Sequence, residues 1–69
     1  MYVTIEKLSH GIIRRRGKPS TLWTAFNYYN ETKGEWTERG YTLLENIPGQ
    51  AIILEETKAI GIIQVAKIS

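Results

Sequence analysis

Residues 14–45, RRRGKPSTLWTAFNYYNETKGEWTERGYTLLE, decide how this chain is read. They hold six of its seven aromatic residues and six of its nine basic ones. Three arginines run into Gly17-Lys18-Pro19-Ser20. There Gly permits unusual dihedrals, and Pro removes a ladder donor and pushes Lys18 towards extended backbone. An unpaired guanidinium is too costly to bury, so Arg14, Arg15 and Arg16 are expected to project into solvent. Thr21 to Asn30 (TLWTAFNYYN) is rich in aromatics and Thr and reads as a strand without a helical stripe. Asn30 to Gly34 is a polar hairpin loop, and Glu35 to Glu45 the returning strand, with Gly40 marking a bulge or bend. The expectation is an aromatic β-hairpin with a basic turn at its mouth. A domain this small cannot bury both faces of such a hairpin, so one aromatic set is exposed or lies at an interface.

On either side the pattern is also extended. Tyr2 to Lys7 alternates apolar and polar, placing Val3 and Ile5 inward and Thr4 and Glu6 outward. Ser9-His10-Gly11 is a turn, and Ile12-Ile13 resumes a strand leading into the arginines. Asn46 to Gln50 (NIPGQ) is a turn whose Pro-Gly fits the centre of a type II turn. Ala51 to Glu56 and Ala59 to Ile68 are strands, joined by Thr57-Lys58. A helix across residues 50–60 is the competing assignment, disfavoured because Ile52, Ile53 and Leu54 run continuously.

Sixty-nine residues make one domain, 1–69, that buries only about 60% of its unfolded surface. With no cysteine, disulfides and zinc–thiolate sites are excluded as staples. Strong strand propensity or oligomerisation remains, and a homodimer is expected. Closing the sheet into a barrel would hide its edges. The fold class expected is therefore all-β, a small five-stranded Greek-key barrel of the OB type, dimeric. The alternative is a dimer with a four-stranded sheet plus a C-terminal helix, in which residues 48–60 are helical. No apolar run approaches the length of a membrane span, and the N-terminus has no apolar core of a signal peptide. A cytoplasmic location is the default expectation, the host cytoplasm if the protein is viral.

The net charge of +2 is unevenly placed. Residues 7–39 carry seven basic residues and three glutamates, whereas residues 40–69 carry two lysines and three glutamates. A cationic half against a near-neutral half is an electrostatic footprint. Catalysis is not expected: there is no Asp or Cys and a single His, so triads, metal sites and cofactor chemistry lack members. No small-molecule substrate is suggested either. Sites for single-stranded nucleic acid combine a cationic groove with aromatic platforms on which bases stack. Arg14, Arg15, Arg16, Lys18, Lys33 and Arg39 are the expected phosphate contacts. Tyr28, Tyr29, Trp36 and Tyr41 are the expected stacking residues, with Trp23 and Phe26 weighted towards core.

Gly17, Lys18, Pro19, Ala25, Asn27, Lys33, Gly34, Glu35, Trp36 and Glu38 resemble the hairpin of bacterial single-stranded-DNA-binding proteins, in which a Gly-Lys-Pro turn precedes an aromatic strand and a Gly-Glu-Trp loop end. GQAIILEE and IIQVAKIS resemble that family's later strands. The Gly-Lys-Pro turn and the later Pro-Gly are also similar to the short, dimeric single-strand-binding proteins of filamentous phages. FNYYNETKGEWTERGYTLLEN has, in addition, the strand–loop–basic-strand look of the transcription-coactivator PC-four type, which underlies the alternative fold. The single-strand-binding resemblance implies an OB-type fold and binding of single-stranded DNA in preference to RNA, as in DNA replication. It departs from the cellular family in lacking a helix between the third and fourth strands, a long last hairpin and an acidic tail. The rival reading is a viral or plasmid-encoded β-module that docks another protein, since Tyr, Trp and Arg also make protein hot spots.

Overall fold

The structure, a computed structural model, describes residues 1–69. Strands β1 (Tyr2–Leu8) and β2 (Ile13–Ser20) form a hairpin, helix α1 spans Leu22–Glu38, and β3 (Thr42–Ile47), β4 (Gln50–Glu55) and β5 (Lys58–Lys67) follow. All pairings are antiparallel, and the order across the single sheet is β2-β1-β5-β4-β3. The mostly-β class of the sequence reading holds. Barrel closure has no pairing to carry it, because β2 and β3 are the two edges of the sheet. The alternative helix at residues 48–60 is absent too, since that stretch forms β4 and the start of β5.

The expected aromatic hairpin is a helix. Strands expected at 21–30 and 35–45 are replaced by α1 and a short β3. The buried positions of α1 are Ala25, Tyr29, Thr32 and Trp36, spaced four, three and four apart, the stripe of a helix packed on one side. Thr32 hides this stripe from a hydrophobicity reading: it is polar, yet its hydroxyl donates to the Tyr28 carbonyl at 2.7 Å and needs no other partner. The start is marked by Thr21, whose Oγ1 accepts from the Thr24 amide at 3.2 Å as an N-cap. At the end, Gly40 has φ +93°. Its amide donates to Thr37, and that of Tyr41 to Trp36. Those two bonds make a Schellman stop, sealed by the Tyr41 ring edge-on to Trp36 at 5.0 Å. Gly40 ends a helix rather than bulging a strand.

Register places α1 over one sheet face. Row by row, that face carries Arg14–Glu6–Ile63–Ala51–Glu45 and Leu8–Gly61–Ile53–Leu43. Tyr29, Trp36, Ala51, Ile53 and Ile63 form the core, with Leu8, Phe26, Tyr41, Leu43, Ile60 and Val65 packed against it. The Thr4 hydroxyl donates to the Ala25 carbonyl at 2.5 Å, fixing the helix to β1. At Gly61 a Cβ would lie 2.8 Å from the Lys7 carbonyl oxygen, so the close approach of β1 and β5 requires glycine there. Val3 is buried as expected, at 1% exposure, but from Thr4 onward the inward and outward sides of β1 are the reverse of the alternation reading. Thr4 and Glu6 lie under the helix, and Ile5 lies on the far face.

Candidate nucleic-acid interface

Two polar networks tie α1 to the two edges of the sheet. The first is built on Glu6, which is 1% exposed. Trp36 Nε1 donates to its Oε2 at 2.6 Å, while Arg14 and Arg16 reach Oε1 at 3.3 and 3.5 Å. Arg16 also binds Glu35 of the helix at 2.5 Å. Burial works against the Arg16 charge, but the hydrogen bond and charge of Glu35, with help from Glu6, prevail and raise its pKa. Every buried side-chain polar atom has a partner. The second network sits at β3, where the Tyr29 hydroxyl and Lys33 Nζ both donate to Glu45, the lysine at 2.9 Å. Lys33 also lies 4.7 Å from the centre of the Tyr29 ring. Desolvation first, and then the bond to Glu45 and its charge, push the Tyr29 hydroxyl well above its usual range. The bonds from Tyr29 and Lys33 hold the Glu45 carboxyl below its usual range.

These networks change the roles of most residues expected to touch nucleic acid. Tyr29 and Trp36 are 1% and 6% exposed, so neither offers a ring face to a base. Tyr41 is half-buried against Trp36, and the Arg39 guanidinium stacks on the Trp36 ring at 5.0 Å. Tyr28 rests on Gly17, where φ is +83° and a Cβ would come within 2.4 Å of the ring. Lys33 and Arg16 are engaged by Glu45 and Glu35. Arg14 keeps half of its side chain exposed, and Arg15 and Lys18 are exposed with no carboxylate within ion-pairing distance. The expected set therefore divides into a structural group around Trp36 and Tyr29 and an exposed group of Arg14, Arg15, Lys18 and Tyr28, in which Arg14 is paired with Glu6 and Arg15 and Lys18 have no carboxylate partner.

Of the two rings weighted towards the core, Trp23 lies in solvent and Phe26 is half-buried. Trp23 opens the helix on the side away from the stripe and is 77% exposed. Five residues of chain reach at most about 17 Å, so Trp23 lies within that distance of Lys18. The signal for both tryptophans was the helical stripe, which includes Trp36 and excludes Trp23. Glu6 was missed because alternation alone cannot say which face of β1 is covered.

Charge follows the same division. The β1–β2 hairpin holds five basic residues against one glutamate, a balance of +4, and leaves −2 to the rest of a chain whose total is +2. The surface has only shallow depressions, one between Met1, Tyr2, Ser20 and Thr21 and one between Arg39, Gly40, Tyr41, Glu55 and Glu56. No group of three or more His, Cys, Asp or Glu side chains is placed to hold a metal ion. No helix is long and apolar enough to cross a membrane. No family model, curated protein or solved structure matches this chain.

Proposed function

We propose that the chain is a binding module for single-stranded nucleic acid whose contact surface is the cationic edge of the β1–β2 hairpin. Arg14, Arg15 and Lys18 meet phosphates, and Trp23 stacks on a base. The observation that carries this reading is the segregation of charge, +4 on the hairpin against −2 elsewhere, on an edge strand whose Arg15 and Lys18 have no carboxylate partner. A free cationic row attracts a polyanion and displaces its counterions, and one exposed indole supplies a sequence-tolerant stacking face. Duplex offers no splayed base to that indole, so single strands are preferred. The reading rests on charge and exposure and does not lean on an OB-type barrel.

Anisotropy of a labelled oligonucleotide, titrated with protein across a salt series, tests it. With about three phosphates neutralised, the log–log slope against salt is expected near about −2. Lys18→Ala should flatten that slope, and Trp23→Ala should weaken binding about 5- to 100-fold at unchanged slope. Single-stranded DNA, single-stranded RNA and duplex are run as separate arms, because stacking and charge serve both single strands alike. A folded protein that leaves the anisotropy flat at low salt removes the proposal. The rival reading, a module that docks protein, is favoured by a different observation, the uncovered apolar face of the sheet.

A further inference from the structure

The larger of the two surface depressions, about 320 Å³, is lined by Met1, Tyr2, Ser20 and Thr21, where β2 passes into α1. Register sets Ser20, Tyr2 and Lys67 in one row across β2, β1 and β5. Opposed residues share a face, and Tyr2 has the parity of Thr4 and Glu6, so this row lies on the face that carries α1. The helix is capped at Thr21, and Trp23 follows in its first turn. Three residues of chain reach at most about 10 Å, so the Trp23 backbone lies within that distance of Ser20.

We infer that this depression is a second base site, holding a nucleobase of the strand that stacks on Trp23, with the phosphates beside that base on Lys18 and Lys67. The inference rests on the nucleic-acid reading above and extends it from one base to two. Charge selects the occupant. The segments that meet at this end of the molecule, residues 1–5, 17–30 and 62–69, contain Lys18 and Lys67 and no Asp or Glu. Neither lysine makes an ion pair. They flank the depression, Lys18 two residues before Ser20 and Lys67 on the strand beside Tyr2. The nearest acid along β1 is Glu6, already bound by Trp36, Arg14 and Arg16, and the first on α1 is Glu31, about two turns past Trp23. The other depression, about 240 Å³, is lined by Glu55 and Glu56, which repel a phosphodiester. Chemistry agrees. The Tyr2 ring supplies a stacking surface, and the Met1 thioether packs favourably on an aromatic base. The Ser20 hydroxyl meets the polar edge of the base, since Thr21 Oγ1 is engaged as the helix cap. The volume lies at the lower end for a small-molecule site and suits one base.

Anisotropy of a short, end-labelled oligothymidylate across a salt series tests the inference. Lys67 adds one phosphate to the three counted above, so the wild-type log–log slope steepens to about −3, and Lys67→Ala should return it to about −2. Tyr2→Ala should weaken binding about 5- to 100-fold at unchanged slope, and Trp23→Ala should add its own loss to that. Far-UV circular dichroism checks the folding of each variant. Lys67 is exposed at the end of β5, so Lys67→Ala keeps the test open even where Tyr2→Ala does not fold. A flat wild-type titration at low salt removes the nucleic-acid reading and this inference with it. A different result overturns the second base site alone: the wild type binds, Trp23→Ala weakens it, and folded Tyr2→Ala and Lys67→Ala match the wild type in affinity and slope.

Discussion

The two tryptophans ride on one helix and live in opposite surroundings. Trp36 faces the sheet, is nearly sealed, and donates its indole proton to a buried carboxylate. Trp23 faces solvent with 77% of its surface open. In sequence each is followed directly by a threonine, Thr24 and Thr37. What separates them is the phase of the helix: Trp36 lies on the stripe Ala25–Tyr29–Thr32, and Trp23 does not. Aromatic content measures how much ring surface a chain carries, and only the phase of the backbone decides which rings are structural and which can meet a ligand.

The sharpest way to break the contrast is to remove what locks Trp36. Glu6→Ala leaves the indole N–H without an acceptor and two guanidinium groups without their shared partner. The expected loss is about 3–5 kcal/mol, the range for stripping one member from a buried ion pair. Small domains hold about 5 kcal/mol in all, so urea unfolding should show a variant near the limit of folding. The intermediate effect comes from pH at the other network. Because the Glu45 carboxyl is held below its usual range by Tyr29 and Lys33, its contribution is complete above the unfolded value of 4.5. It is lost as pH falls through the lower folded value. Denaturation midpoints measured from neutral to acid pH should therefore fall less steeply for Glu45→Gln than for the wild type. The smallest effect lies on the solvent side of α1. Gly34 is exposed in mid-helix with nothing within 4 Å of an added Cβ, so Gly34→Ala should raise stability by about 0.5–1 kcal/mol.

The same contrast explains what the sequence made legible. β1, β4 and β5 were readable, within a residue or so at each end, because their β-branched runs are bounded by Gly, Pro and Thr turns. Gly11 and Gly49 take the positive φ that those turns require. The helix was not readable by the same rules: its stripe contains Thr32, its exposed side contains Trp23, and its interior contains Gly34. Its punctuation was present nonetheless, in Thr21 with Thr24 at the start and Gly40-Tyr41 at the stop. The resemblance to single-strand-binding hairpins rested on residues 17–38, and most of that stretch is helical. The expected phosphate and stacking residues were named from composition, so those turned inward by the helix could not be told from those left outside. The basic β2 strand survives as a candidate because Arg15 and Lys18 lie on an edge, whichever way the sheet is covered.

The most direct test watches both indoles at once. The chain has two tryptophans, so a proton–nitrogen correlation spectrum contains two indole N–H signals. Trp23→Phe and Trp36→Phe assign them. On adding single-stranded oligonucleotide at low salt, the Trp23 signal is expected to move together with the amides of Arg14 to Lys18. The Trp36 signal, held on Glu6, should stay where it is. A Trp36 shift with Trp23 unmoved, or no shift in either signal, would contradict the assignment of the cationic hairpin edge as the nucleic-acid surface.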